Sequence, residues 1–197
     1  MTLSVRSLHK RLGGRQVLAG VGFELADGEA LAVLGANGCG KTTLLRACAG
    51  VLEPDEGSIT LRGLPLRHAR RHLGYVPEAA DPPPHLTPAE FLRLCASLRR
   101  SPPIDAATVE RLGVTPFLDQ RIGSLSLGQR RRACLAAALV GAPWLLVLDE
   151  PSNGLDPGGV ALLADVLVEH TAAGRAVLFA THDLALADRI GAARKAL

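Results

Sequence analysis

The sequence predicts an α/β fold with a mainly parallel central sheet, an antiparallel β region near the N-terminus and an inserted helical subdomain. Short, continuous apolar runs are typical of strands buried on both faces, and three are present, at Ala30–Leu34, Leu145–Leu148 and Ala176–Ala180. Helical patterns alternate with these runs, as in proteins that cover a parallel sheet with helices. We therefore predict one domain whose core spans residues 1–80 and 140–197, interrupted by helices at about 81–139.

The first third of the chain has strand patterns separated by turns. Leu3–Val5 alternates between apolar and polar residues, and Val17–Leu25 is a second strand pattern closed by the turn signal Asp27-Gly28. Beyond the first buried run we expect a helix over Thr42–Gly50 and strands over Gly57–Leu61 and Leu73–Val76.

Prolines mark the start of the helical insertion. Three consecutive prolines, Pro82–Pro84, stop regular structure, and a second pair divides the helical region at Pro102 and Pro103. Thr87, Pro88 and Glu90 form a helix-start pattern with a capping threonine, a first-turn proline and a glutamate three residues after the cap. After the insertion we expect a helix at Val160–Thr171.

Composition excludes several classes of protein. The 197 residues are 48% hydrophobic and 21% charged, which argues against disorder. The net charge of +3 is mild and no basic stripe is interleaved with aromatics, so we expect no nucleic-acid partner. The four cysteines lack CxxC pairing, and no apolar run resembles a signal peptide or reaches a membrane span of about 18 residues. These features predict a soluble, cytoplasmic chain with reduced thiols.

A glycine-rich segment after the first buried run matches the phosphate-binding loop G-x-x-x-x-G-K-[ST]. Such a loop turns backbone N–H groups and a helix N-terminus towards phosphate oxygens. Lys41 is expected to reach the β- and γ-phosphates, and the Thr42 hydroxyl to bind Mg²⁺. The predicted nucleotide-binding residues are Gly35, Ala36, Asn37, Gly38, Cys39, Gly40, Lys41, Thr42 and Thr43.

Two acidic residues, Asp149 and Glu150, end the second buried run. Charges at a strand end are often only solvated caps, but ligands of open α/β sheets bind beyond the carboxyl ends of the strands. Paired with the upstream loop, Asp149 is predicted to hold Mg²⁺ and Glu150 to act as the general base towards water.

The segment Leu125-Ser126-Leu127-Gly128-Gln129 resembles LSGGQ, the signature of the ATP-binding cassette (ABC) ATPases. Three further segments match that family in the same order along the chain: Tyr75–Glu78 lies where its Q-loop begins, Ser152–Asp156 matches its D-loop and Thr181–Asp183 matches its switch-histidine loop.

The resemblance implies a P-loop NTPase of RecA-like core that binds ATP and Mg²⁺ between two head-to-tail copies. Ser126, Gly128 and Gln129 would then contact the γ-phosphate held by the other copy, Asp156 would set geometry across the interface, and His182 would bind the γ-phosphate as a catalytic residue beside Lys41 and Glu150. It further implies an ATPase subunit at the inner face of the cell membrane. Such a subunit drives transport through a separate permease. Pro77-Glu78 followed by Pro82–Thr87 resembles cassettes of the ABC-2 exporter type, which implies export.

Some positions depart from the family pattern. Leu12 stands where the family places an aromatic residue against adenine, which predicts weaker nucleotide binding. Glu78 replaces the Q-loop glutamine and is predicted to ligate Mg²⁺, and Leu127 replaces the first signature glycine. The chain stops soon after the switch histidine, so we expect the family's further strand and C-terminal helix to be absent.

Two alternatives to a transport subunit remain: a soluble ABC ATPase without a transport role, and a cassette that senses nucleotide with little turnover. We interpret the basic run Arg130–Arg132 as a solvated helix face, with phosphate or lipid contact as the lesser reading. Trp144 is expected to pack in the core beside the strand that ends at Asp149.

Overall fold

A computed structural model describes all residues, 1–197, as nine strands and seven α-helices. The strands are β1 (Leu3–Leu12), β2 (Arg15–Leu25), β3 (Ala30–Leu34), β4 (Glu56–Leu61), β5 (Leu64–Pro65), β6 (Leu73–Val76), β7 (Leu145–Asp149), β8 (Ala176–Ala180) and β9 (Ala193–Ala196). The helices are α1 (Lys41–Cys48), α2 (Leu66–Ala69), α3 (Pro88–Arg99), α4 (Ala106–Arg111), α5 (Leu127–Leu139), α6 (Pro157–Ala172) and α7 (Leu184–Arg189).

The N-terminal strands form an antiparallel sheet in the order β2-β1-β4-β5, which confirms the predicted β region. The first strand is much longer than its Leu3–Val5 pattern suggested, because register irregularities between Val5 and Arg11 break the alternation of apolar residues. Gly13 and Gly14 close the β1–β2 hairpin with positive φ angles of 55° and 81°, which glycine adopts without a steric cost.

The second sheet contains five parallel strands in the order β6-β7-β8-β3-β9, as the buried apolar runs predict. Every residue of β7 and β8 is buried, and apolar clusters cover both faces of the sheet. The four neighbouring strands β6, β7, β8 and β3 all point their carboxyl ends to one edge, so the loops that follow them lie close together.

One expectation about the end of the chain is wrong. The structure has a strand after the switch histidine, since β9 pairs in parallel with β3 over Leu31–Leu34. Its sequence, Ala-Arg-Lys-Ala, carries two charges and no apolar run, because β9 lies at the sheet edge and is largely exposed. Burial patterning therefore could not reveal it.

Capping boxes start two of the helices between residues 81 and 139. Thr87 accepts the Glu90 N–H at 3.2 Å while its own N–H donates to the Glu90 carboxylate at 2.8 Å. Ser126 and Gln129 repeat this geometry at the start of α5, with distances of 3.2 and 2.9 Å. The serine of the signature segment is therefore also a helix cap.

Trp144 lies at the amino end of β7 and is half-buried against the apolar cluster, rather than enclosed within it. Its ring stacks on His72 with centroids 3.7 Å apart, and the Arg62 guanidinium lies 4.8 Å from the ring centre. No helix of the protein is both long and apolar enough to cross a bilayer.

Candidate functional site

The glycine-rich loop joins β3 to α1 at the carboxyl edge of the parallel sheet. Gly38 and Gly40 have φ angles of 77° and 113°, and a side chain on Gly40 would lie 3.0 Å from the Val17 carbonyl oxygen. Lys41 begins α1 and is 8% exposed. Its ammonium group donates to the carbonyls of Gly35 and Ala36 at 2.7 and 3.2 Å, so the loop wraps around its own lysine.

The acidic pair lies opposite this loop. Asp149 is the last residue of β7, and Glu150 follows it with a φ of 46°, an uncommon left-handed conformation for a residue with a side chain. The Glu150 N–H donates to the Ala180 carbonyl at 3.0 Å, which ties the turn to the end of β8. Both acids are buried, with 1% and 7% of their surface exposed.

Burial dominates the electrostatics of the two acids. Desolvation raises the pKa of Asp149, opposed by a hydrogen bond from Thr42 and reinforced by the negative charge of Glu78. Desolvation likewise raises the pKa of Glu150, opposed by the backbone N–H of His182. That N–H donates to one Glu150 oxygen at 3.2 Å, and the His182 ring nitrogen lies 3.4 Å from the other.

A cleft of about 760 Å³ brings most of the predicted nucleotide site together. Of the predicted residues, ten line it: Asn37, Gly38, Gly40, Lys41, Thr42, Thr43, Glu78, Asp149, Glu150 and His182. Four lining residues were not singled out as ligands in the sequence, namely Val17, Ser152, Asn153 and Asp183. Gly35 and Ala36 take part through the carbonyls that hold Lys41, while Cys39 lies in the loop without lining the cleft.

Leu12 does not line this cleft. It is the last residue of β1, pairs with Arg15 across the hairpin and is 44% exposed. Val17, on the adjoining strand, is the residue of the antiparallel sheet that reaches the cleft. An aliphatic rim of this kind offers packing but no aromatic face to a base.

The residues at the base of the cleft fit a magnesium ion. Thr42 lies beside Asp149 on this lining, and Asp149 Oδ2 is buried without a hydrogen-bond partner. Glu78 is exposed on the same lining. No three His, Cys, Asp or Glu residues form a cage for a metal. Magnesium commonly uses one or two protein oxygens together with phosphate oxygens and water, and this donor set suits that mode.

The signature segment lines a separate cleft of about 660 Å³, which shares no lining residue with the first. Ser126, Gly128 and Gln129 lie there at the start of α5, and Asp156 lies opposite them. A side chain on Gly128 would lie 2.8 Å from the Gly154 carbonyl oxygen, so the start of α5 and the loop at Gly154 are in close contact. Leu127 packs over Gly154 and is 62% exposed.

Asp156 has a local structural role that the sequence comparison did not suggest. Its carboxylate caps α6 by accepting the Gly159 N–H at 3.0 Å, and it accepts from the Arg132 guanidinium at 2.7 Å. The Gly159 backbone bond is the main reason why its pKa is lowered. Any contact across an interface would use a carboxylate that already has two partners.

The interpretation of Arg130–Arg132 as a solvated face is wrong for Arg131, which is 4% exposed. Its guanidinium group donates to backbone carbonyls in the loops after β6 and β7, at 2.6 Å to Pro77, Asp149 and Glu150. A helix packed on a sheet must turn one side inward, and the α5 face at Arg131 points to these loops.

The fold and the cleft together define a P-loop NTPase. A family profile described as "ABC transporter" matches residues 18–153, and the chain belongs to this family. The chain is 36% identical over 187 residues to an uncharacterized ABC transporter ATP-binding protein of Bacillus subtilis, YdbJ, covering 91% of this chain and 61% of YdbJ.

Further similarities agree with the family. The chain is 36% identical over 197 residues to the Nod factor export ATP-binding protein I of Burkholderia orbicola, covering 95% of this chain and 65% of that protein. A solved ATP-binding subunit of an ABC transporter superposes with a TM-score of 0.87 at 30% identity, covering 96% of this chain and 83% of that one. The chain thus spans slightly less than two thirds of the length of these two curated relatives.

Proposed function

We propose that this chain binds and hydrolyses Mg·ATP to drive export through a separate membrane permease. The observation that carries the proposal is the convergence of Lys41, Thr42, Asp149, Glu150 and His182 on one cleft. These groups supply a cation that binds phosphate, a magnesium site, a general base and a hydrogen-bond donor to the γ-phosphate. These are the parts that phosphoryl transfer needs.

The phosphates would lie over the loop at the start of α1. Lys41 would exchange its bonds to the Gly35 and Ala36 carbonyls for phosphate oxygens, at a position already fixed by the loop. Magnesium, held by Thr42 and Asp149 with Glu78 beside it, would supply charge neutralisation on the phosphates.

Glu150 is suited to accept a proton from water. One of its oxygens is occupied by the His182 N–H, while Oε1 is buried without a hydrogen-bond partner. Burial raises its pKa, which increases the affinity of the carboxylate for a proton. The His182 ring lies 3.4 Å from both Lys41 and Glu150, so it stands between the phosphate-binding and base groups.

Each chain carries two halves of a site rather than one complete site. In a head-to-tail homodimer, the phosphates held by Lys41 would be covered by the partner subunit's Ser126, Gly128 and Gln129. Ser126 accepts the Gln129 N–H through its oxygen, which leaves its hydroxyl hydrogen free to donate to a phosphate oxygen. Asp156 would lie at the same interface.

Membership of the family and the export role in the name of a relative support a permease partner and a location at the cytoplasmic face of the cell membrane. Glu78 and the exposed Leu12 favour one alternative, a nucleotide sensor with little turnover. Steady-state ATPase assays of the wild type and Glu150→Gln separate the two. We expect at least about a hundredfold loss of kcat in the variant with ATP affinity retained. Equal, low rates in both proteins would favour the sensor.

Mixing two inactive variants tests the head-to-tail arrangement. Lys41→Ala and Ser126→Ala should each be inactive as homodimers. In a mixed dimer, the intact Lys41 of one chain faces the intact Ser126 of the other, so one complete site forms and activity returns. If both halves of a site came from the same chain, mixing would restore nothing. Co-purification with a multi-span membrane protein tests the permease.

A further inference from the structure

Arg131 makes an unusual set of contacts for a residue in a basic run. It lies in the second turn of α5, five residues after the capping Ser126, and is buried. All of its hydrogen bonds go to backbone carbonyl oxygens: Pro77 at 2.6 Å, Glu78 at 3.2 Å, Asp149 at 2.6 Å, Glu150 at 2.6 Å and Pro151 at 3.5 Å.

These carbonyls belong to two loops that are distant in sequence. Nη1 donates to carbonyls of the loop after β6, which carries Glu78. Nη2 and Nε donate to carbonyls of the turn after β7, which carries Glu150. A planar guanidinium holds its donors in a fixed fork, so it sets the spacing of the two loops relative to α5. A lysine ammonium has three donors on a flexible stem and could not span both.

The contact to Glu150 is specific in a further way. Glu150 has the left-handed φ of 46°, and a residue with a side chain keeps such a conformation only where its surroundings hold it. Arg131 holds the carbonyl of this residue, while the Ala180 carbonyl holds its N–H. The direction of the Glu150 side chain therefore depends on Arg131.

We propose that Arg131 is a positioning residue that couples the Ser126 end of α5 to the placement of Glu150 and Glu78. Binding of a phosphate to Ser126 could displace α5. The Arg131 guanidinium would transmit such a displacement to both loops. This inference rests on the proposed function, because the coupled groups are those assigned to ATP hydrolysis. It adds a route by which a change at Ser126 alters the position of Glu150 in the same chain.

Arg99 offers a matched control. It is a half-buried arginine that also donates to carbonyls, at 2.9 Å to Ala138 and 2.5 Å to Val140, around the other end of α5. Its pKa is lowered by the same cause as that of Arg131, which is burial of the guanidinium. Loss of Arg99 therefore removes similar hydrogen bonds, none of which goes to either loop.

The experiment compares Arg131→Met, Arg131→Lys and Arg99→Met in the full chain. Both methionine variants should unfold at lower denaturant concentration than the wild type. We expect Arg131→Met to lower kcat at least about tenfold, with the Kd for ATP measured without magnesium changed less than about threefold, because the loop around Lys41 is untouched. Arg131→Lys should recover part of kcat, and Arg99→Met should stay within about twofold of the wild type.

Amide hydrogen exchange gives a readout that does not need turnover. Amides of the loops after β6 and β7 should exchange at least about tenfold faster in Arg131→Met, and at wild-type rates in Arg99→Met. Unchanged exchange in these loops, or equal losses of kcat in the two methionine variants, would overturn the inference. If Arg131→Met does not fold, Arg131→Lys is compared with Arg99→Met on the same two measurements. If the wild type is inactive but Arg131→Met still speeds amide exchange in both loops, only the proposed function is refuted.

Discussion

Ser126 has two roles that one pair of substitutions can separate. As a capping residue it stabilises α5, and as a hydroxyl donor it is proposed to bind a phosphate held by the partner. Thr87 caps α3 with nearly the same geometry, since the cap bond is 3.2 Å in both helices and the reciprocal bonds are 2.8 and 2.9 Å. Thr87 lines neither of the two clefts.

The expected stability effect follows from this geometry. Replacing a capping serine or threonine by alanine costs about 1 kcal/mol. For a chain of this length that lowers Tm by about 2–4 °C, and the drop should be similar for Ser126→Ala and Thr87→Ala. Only Ser126→Ala removes a donor to the phosphate, and losing one such donor costs about 10²-fold or more in kcat.

The assay is steady-state ATP hydrolysis at a temperature well below both melting transitions, with thermal unfolding recorded for each protein. Thr87→Ala should retain the wild-type kcat within about twofold, while Ser126→Ala should be nearly inactive. Equal activities at equal loss of Tm would mean that Ser126 is only a helix cap, and the phosphate contact would be refuted.

Three further outcomes are expected. Leu12→Tyr should leave the affinity for ATP within about twofold of the wild type, because Leu12 lies outside the lining of the cleft; a marked tightening in a nucleotide titration would contradict this placement. Because burial raises the pKa of Glu150 above its ordinary value of 4.5, and only the carboxylate accepts a proton, kcat should fall tenfold per pH unit on an acid limb whose midpoint lies above pH 4.5. An acid limb with its midpoint at or below pH 4.5 in initial-rate profiles would count against Glu150 as the base. Burial lowers the pKa of His170 from 6.5 to about 4, so the folded chain binds this proton less tightly than the unfolded chain. Stability should therefore be lost as pH falls from 6.5 towards 4, by about 3 kcal/mol in full, and urea midpoints of His170→Gln should lack this component.

The sequence was informative where the chemistry is local. The glycine-rich loop needs consecutive residues of particular types, and the run ending in Asp149 and Glu150 joins a buried strand to its acids without a gap. The two capping boxes are likewise contained in four residues each. In all these cases the backbone conformation and the functional group are specified within one short window, so the pattern and the geometry agree.

Other features depend on contacts that no short window contains. Arg131 differs from Arg130 and Arg132 only in the direction in which α5 packs, and its partner Pro77 is 54 positions away. The strand β9 has no apolar run of its own and forms because β3 presents an unpaired edge to it. Leu12 was placed by analogy along the sequence, but the irregular register of β1 with β2 determines which residue reaches the cleft.

The position of Trp144 has a practical consequence for spectroscopy. It is the only tryptophan of the chain and stacks on His72 at the amino end of β7, whereas Asp149 ends the same strand about 16 Å away. Intrinsic fluorescence should therefore follow melting of the central sheet and respond little to occupancy of the cleft. A change in emission on adding nucleotide would indicate that a structural change at the cleft had extended along the whole of β7 to Trp144.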